Sequence, residues 1–449
     1  MTPANRNLVR LLSVTLLFAR LSLSQTPSPA LLVIEKDTQR VDIVDPTNLQ
    51  IVGRASVGAD PHEIAVSADG NTAFISDYGA FGTPMHLLSV IDLVAQKPLP
   101  PVELGALLAP HGMQTLNGQI YFTAEGSKAI GRYDPATGRV AWILGVGENR
   151  THMLVVSPDG NHIFTSNVNS DTISIFDREL DRNAADASGW KEDRVTVGKG
   201  PEGFDVSPDG KELWAANSHD GTVSILNIAS RNVIETLDMR MKMANRLKFT
   251  PDGKLVLISD LGAGDLEVID AASRREVKRI NLGQGAAGIL ITPDGRRAFV
   301  AVSRDSYVAV VDLKTLSVTG RIATGGEPDG MAWAIRASAG LANLPATFIG
   351  HLPCADCPGI IYQINLLSDH TFSSRMVYQE RNNSFDQQGI WEMSKDNGIL
   401  TLKAAHGRPQ QFSLPDAQTL RQLDANGKEI QSMFNYDLKR APAFIPLGK

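Results

Sequence analysis

The sequence predicts an all-β chain, a seven-bladed β-propeller followed by a small antiparallel β-barrel. Three observations carry this. A Pro-Asp-Gly turn recurs at the period of a four-stranded blade. Seven related loops each precede a first strand. Where the repeat stops, short alternating strands separated by turn residues fill the remaining stretch of sequence.

The chain has 449 residues, beyond the roughly 250 to 300 at which a single core stops growing, so two folded units are expected. The first 24 residues have the order of a secretory leader. Arg6 and Arg10 precede the apolar run from Leu11 to Ala19, and small residues follow at Ser22 and Ser24. The run is short for a bilayer span, and no cysteine stands near the expected cleavage point, so an exported chain without a lipid anchor or membrane span is expected. The predicted location is periplasmic or secreted. The net charge of −6 comes without any run of Lys and Arg, which argues against a nucleic-acid partner.

The repeat comes next. Ser67-Ala-Asp-Gly70, Ser157-Pro-Asp-Gly160, Ser207-Pro-Asp-Gly210, Thr250-Pro-Asp-Gly253 and Thr292-Pro-Asp-Gly295 share one pattern, with Thr115-Leu-Asn-Gly118 a worn copy. Successive turn glycines are 48, 42, 50, 43 and 42 residues apart. Pro fixes φ, Asp bonds its own backbone and Gly takes the left-handed position, which suits a hairpin turn. The loops ahead of the first strands read Pro61-His-Glu, Pro110-His-Gly, Thr151-His-Met, Pro201-Glu-Gly, Ala244-Asn-Arg, Ala286-Ala-Gly and Pro328-Asp-Gly. Six blades are continuous from Pro61 to Glu327. The seventh is split, with its innermost strand at Met331 to Ile335 and its outer three at Leu31 to Ile34, Val41 to Val44 and Gln50 to Val57. Closure of this kind leaves no open sheet edge. The polar stretch from Asp181 to Asp193 is expected to be a surface insertion that lengthens blade 3, and Trp214 and Trp333 are expected in the core.

The strings Phe164-Thr-Ser-Asn-Val-Asn-Ser-Asp-Thr-Ile-Ser-Ile-Phe176 and Leu213-Trp-Ala-Ala-Asn-Ser-His-Asp-Gly-Thr-Val-Ser-Ile-Leu226 resemble the YVTN β-propeller repeat across residues 30–336. That resemblance implies the fold. Propellers of this kind include binding platforms, surface-layer modules, lactonase-like enzymes and haem-bearing reductases, so fold alone does not assign activity.

In a propeller, the loop into the first strand and the loop between the second and third strands open on one face around the central channel. Eight residues before the turn glycines stand His62, His152, Glu202, Asn245 and Ala287, with His111 one residue nearer in the worn repeat and Asp329 in the corresponding place of the split blade. Seven residues after them stand Asp77, Glu125, Asn167, Asn217, Asp260 and Val302. The expectation is a polar mouth holding a polar ligand or a divalent cation, with His62, His111 and His152 first among the ligands and Glu125 or Glu202 beside them. Three imidazoles with an open position would suit Lewis-acid hydrolysis. Against this stands an ordinary structural role, because Asp and Asn commonly satisfy loop backbone groups. Motifs for a nucleophile elbow, a phosphate-cradling glycine loop or covalent haem attachment are missing.

Residues 337–345 form the expected linker, rich in Ala with Gly340. Strands are expected at Ile360 to Leu367, Thr371 to Gln379, Gly389 to Met393, Ile399 to Lys403, Gln411 to Leu414 and Leu420 to Leu423. Within residues 346–440 lie the chain's two cysteines, in Gly350-His-Leu-Pro-Cys-Ala-Asp-Cys-Pro-Gly-Ile360. A thioredoxin-like redox pair wants a helix N-terminus beside a parallel sheet, whereas Cys354 and Cys357 sit among strands and precede Pro358. An oxidising compartment favours a short disulfide loop. The third reading is a soft metal such as Cu(I) on two thiolates, helped by His351 or Met376.

This segment, with Leu423-Asp-Ala-Asn-Gly-Lys-Glu-Ile430 and Ser432-Met-Phe-Asn-Tyr436, is similar to the N-terminal domain of the copper-resistance lipoprotein NlpE, whose members carry Leu-Pro-Cys-Ala-Asp-Cys at this point. The resemblance implies an envelope role in sensing surface attachment or copper stress and passing a signal to a membrane kinase. The chain lacks the family's lipid-anchor cysteine and its second cysteine pair. The leading functional expectation is a non-enzymatic envelope protein, its propeller binding a protein partner or a small polar ligand and its barrel serving a copper- or stress-related role. The alternatives are a lactonase-like or metal-dependent hydrolase at the histidine ring, and a copper-binding protein at the cysteine pair.

Overall fold

The computed structural model describes residues 26–447, apart from 81, 180–188, 337–340, 342–343, 355, 382, 395–398, 405–406, 417, 431 and 433. The expected leader, most of the expected linker and most of the polar insertion in blade 3 lie outside the described residues. The described strands form seven four-stranded antiparallel sheets and one closed eight-stranded barrel, with no α-helix among the described residues. None of the described helices is long and apolar enough to cross a membrane.

The turns form as their chemistry requires. In Ser67-Ala-Asp-Gly70 the Gly70 N–H donates to Ser67 O at 2.9 Å, and the Asp69 carboxylate accepts from the Ser67 hydroxyl at 2.6 Å and the Asn71 N–H at 3.0 Å. The same bonds recur at Asp159, Asp209, Asp252 and Asp294. Gly70 takes φ +70°, which only glycine adopts without strain. Blades 1 to 6 each run inner strand to outer strand in chain order. Blade 7 is split as expected, because Pro328–Ala334 pairs with Ala30–Glu35, placing Leu31 opposite Trp333.

Apolar side chains fill the seams between blades. Ile64, Ile75 and Ile91 of blade 1 pack against Leu32, Ile34, Ile43 and Ala332 of blade 7, and each fully buried aliphatic contributes about 1.5–3 kcal/mol. Trp214 is fully buried, whereas Trp333 is half-buried and stands beside Phe299 with ring centroids 6.1 Å apart. A polar clamp also joins neighbouring inner strands. Thr123 Oγ1 accepts the Gly112 N–H at 2.9 Å and donates to His152 O of the next blade at 2.6 Å. Ser166 does the same from Met153 N–H to Glu202 O, and Ser259 from Arg246 N–H to Ala287 O. Gly112 and Gly330 permit this approach, since a Cβ there would stand 2.7 Å from His152 O and 2.0 Å from His62 O.

Loops between second and third strands hold four residues in blades 2 to 7, but nine in blade 1, from Tyr78 to His86. The barrel has a core of its own, built on Phe348, Tyr362, Ile364, Phe372, Trp391, Leu400 and Phe412. Its first strand, Ala346–Leu352, pairs with Ile360–Leu366 on one side and closes on Asp437–Arg440 at the other. The two cysteines occupy the connection between the first two barrel strands, where they form a disulfide.

Candidate functional site

A β-bulge builds the mouth. Register shifts between Pro61 and Ile64, Pro110 and Met113, Thr151 and Leu154, Pro201 and Phe204, Ala244 and Leu247, and Ala286 and Ile289. Each shift falls on the start of an inner strand and re-aims the extra residue. Those residues are His62, His111, His152, Glu202, Asn245 and Ala287, and together with Asp329 they line a cavity of about 250 Å³ at the propeller axis.

The three histidines converge. His111 Nε2 lies 3.1 Å from His62 Nδ1, and the His111 ring lies 3.8 Å from the His152 ring, centroid to centroid. His152 is held between two carboxylates, with Nδ1 on Glu125 and Nε2 2.9 Å from Glu202 Oε1. The second contact has the distance of an ion pair but misses the direction of a hydrogen bond. Burial disfavours the imidazolium, yet Glu202 and Glu125 outweigh it and raise the His152 pKa to about 9. Burial likewise opposes ionisation of Glu202, but His152 and the nearby Arg150 and Arg246 hold it down at about 2. His111 is driven well below the usual imidazole value, first by burial and then by the charge of His152 and its other neighbours. It is therefore neutral, and its buried Nδ1 has no hydrogen-bond partner.

On the other side of His111, Lys36 Nζ lies 3.0 Å from His62 Nε2, 3.2 Å from Asp60 and 3.9 Å from Asp329. His62 Nδ1 is 3.4 Å from Asp329 Oδ2. Burial pushes the Asp329 pKa up, but His62, Arg246 and Lys36 more than reverse this and leave it well below the ordinary carboxylate value. Arg246 is buried and pairs with Glu63 at 2.7 Å.

Asp77 and Asp260, expected in this ring, do not join it. Asp77 accepts from the Ser89 hydroxyl at 2.7 Å, and burial raises its pKa to about 6. Asp260 accepts the N–H groups of Lys242, Met243, Gly262 and Ala263. Both end their second strands and brace loops. The next position along the chain faces the channel side: Lys36, Leu261 and Ser303 line the mouth, and Tyr78 and Glu125 line an adjoining chamber. Glu125 shares the seven-residue spacing of Asp77 only because the worn repeat is one residue shorter between its turn glycine and its second strand, Gly118 to Gln119 against Gly70 to Thr72. Lys36, Tyr78, Asp60, Arg150, Arg246 and Arg304 were missed. Asp60, Arg150 and Arg246 flank the bulged positions, a signal that was present in the sequence.

The side chains of His111, Glu125 and His152 can bring three metal-ligating atoms within 4.8 Å of one another. His62 is not part of that set. In the barrel, the disulfide leaves no free cysteine among the described residues, so Cys354 and Cys357 would ligate Cu(I) only after reduction. Among described side chains that could then assist, Asp356 Oδ1 lies 3.5 Å from Cys354 Sγ.

Comparison with known proteins divides the chain in the same way. Residues 348–433 match the family model of the NlpE N-terminal domain, and residues 145–245 match that of the lactonase 7-bladed beta-propeller. The chain is 32% identical over 113 residues to Lipoprotein NlpE of Escherichia coli (strain K12), covering 24% of this chain and 47% of that protein. The chain therefore spans about half the length of the curated relative it matches. A periplasmic gluconolactonase of Pseudomonas aeruginosa superposes with a TM-score of 0.55 at 16% identity, covering 69% of this chain and 99% of that one. A protein from Lactobacillus plantarum does so with a TM-score of 0.56 at 15% identity, covering 68% and 99%. At such identities the likeness shows the fold alone. The barrel is similar to the NlpE N-terminal domain and the propeller to the lactonase propeller.

Proposed function

We propose that this is an exported envelope protein whose propeller binds a small anionic ligand at its mouth and whose barrel serves a copper- or envelope-stress-related role. One observation carries the first half. All seven blades deliver bulged side chains to one cavity, where the Arg150 guanidinium stands 3.7 Å from Glu125 and 3.8 Å from Glu202, too far for hydrogen bonds. A guanidinium with unused donors matches a carboxylate in bidentate fashion. The similarity of the barrel to the NlpE domain supports the second half.

The test is calorimetric titration of the full chain with citrate and D-gluconate. Saturable binding, weakened about tenfold or more by Arg150→Ala, is the expected result. Heat changes that are the same in the variant would remove Arg150 from the site, and silence from both acids would remove the anion reading.

A second reading, metal-dependent hydrolysis, is favoured by the convergence of His111, Glu125 and His152. His111, neutral with an open nitrogen, is in the ligating state, whereas His152 would give up its proton on binding a cation, and a bound divalent cation would polarise a carbonyl oxygen or a water there. Elemental analysis, together with turnover of glucono-1,5-lactone before and after the double change H111A/H152A, separates this from simple binding. For the barrel, Cu(I) affinity that appears on reduction and vanishes in the double variant C354S/C357S would support a copper role. Equal affinity in that variant would end it.

A further inference from the structure

The mouth is small for a ligand site, below the roughly 300–1,000 Å³ usual for such pockets, but it does not stand alone. A second cavity of about 360 Å³ adjoins it, and Arg150 lines both. One wall of this outer chamber is the long loop of blade 1, represented by Tyr78, Gly79 and Gly82, and the other carries Lys128, Asn149 and Asn169. Glu125 lines it too, accepting a 2.7 Å hydrogen bond from Tyr78 Oη. The nine-residue loop occurs in this blade alone, so the chamber is a departure from the repeat and not a product of it.

We infer that mouth and chamber form one two-part site for an acidic oligosaccharide, with a sugar carboxylate on Arg150 and the adjoining sugar ring in the outer chamber. This rests on the anion-binding reading above and adds the second subsite and the ligand class. Side-chain chemistry selects the class. The Asn149 and Asn169 amides are exposed and make no hydrogen bonds with the described residues. Each offers donors and an acceptor, the complement of a hydroxyl. Tyr78 supplies a ring, and Gly82 and Gly126 are exposed on the wall. Among the described residues, the aliphatic side chains on the chamber wall are Ala80, Pro84 and Ala109. Arg150 stands at the junction, where a uronic acid would present its carboxylate while extending a glycosidic bond to the neighbouring sugar.

Calorimetric titration of the full chain with galacturonate, digalacturonate and neutral cellobiose tests this. Digalacturonate should bind about tenfold or more tightly than galacturonate, and cellobiose should bind weakly. The double variant N149A/N169A should erase the gain of the second sugar, so that the two acids bind it within about twofold of each other. Equal affinity for the one-sugar and two-sugar acids, or a gain that survives in N149A/N169A, would overturn the second subsite. Galacturonate binding without any gain would leave the anion mouth standing. Failure of both galacturonates to bind would overturn the ligand class, and the citrate and gluconate titrations report separately on the mouth.

Discussion

His152 is the residue on which the mouth's electrostatics turn. Its folded pKa of about 9 exceeds the unfolded value near 6.5. Its contribution to stability is therefore complete below about pH 6.5 and is lost as pH rises through 9, amounting to about 3 kcal/mol. Glu202 expresses the same ion pair from the acid side: with a folded pKa of about 2, its share is present above its unfolded value and lost as pH falls through 2. Thermal melts of the propeller between pH 6.5 and 9.5, with chelator present, should show a steeper alkaline loss in the wild type than in His152→Gln. Parallel curves would mean that His152 is neutral in the fold. The bulged positions were legible because each stands a fixed distance from a turn glycine. Asp77 and Asp260 were misread because the residues flanking a strand end point opposite ways, and one missing residue in the worn repeat moved Glu125 into line with its inward-hidden neighbours. Arg150 and Arg246 flank bulged positions without a residue type that repeats from blade to blade, so the repeat itself did not select them.

At the scale of the element, the clamp between inner strands fixes where those side chains point. Ser166 is buried and joins the Met153 N–H to Glu202 O in the next blade. Ser166→Ala leaves both groups unpaired, at about 1–3 kcal/mol, and releases the strand that carries Glu202. Chemical denaturation should register that loss, with ligand affinity falling as well. An unchanged midpoint would make the clamp incidental. The strands themselves were legible from alternation and turn residues. The special length of the Tyr78–His86 loop was visible in the sequence too, but its meaning was not, because only the fold shows which loop it faces across the rim.

For the whole molecule, the propeller seams and the barrel interior share no core residues among the described residues. Two calorimetric transitions are expected. The disulfide closes a short loop, for which chain entropy gives about 2 kcal/mol, and C354S/C357S should lower the barrel transition while sparing the other. A shift in both would show that the units unfold together. The pairing of Cys354 with Cys357 was one of three readings open from sequence, the one that an oxidising compartment favours, because spacing alone suits an oxidised loop or a metal.

The pairing of Ala30–Glu35 with Pro328–Ala334 also sets a timetable. A ribosome adds about 5–20 residues each second, so the opening strand waits roughly 15 to 60 s for its partner to be made. Throughout that interval Leu31, Leu32, Val33 and Ile34, all fully buried in the finished ring, can pair with Arg40–Asp45 but lack the inner strand on their other edge. That open edge stays exposed until synthesis of the ring is nearly done, and the last blade to assemble contains the earliest strand of the ring.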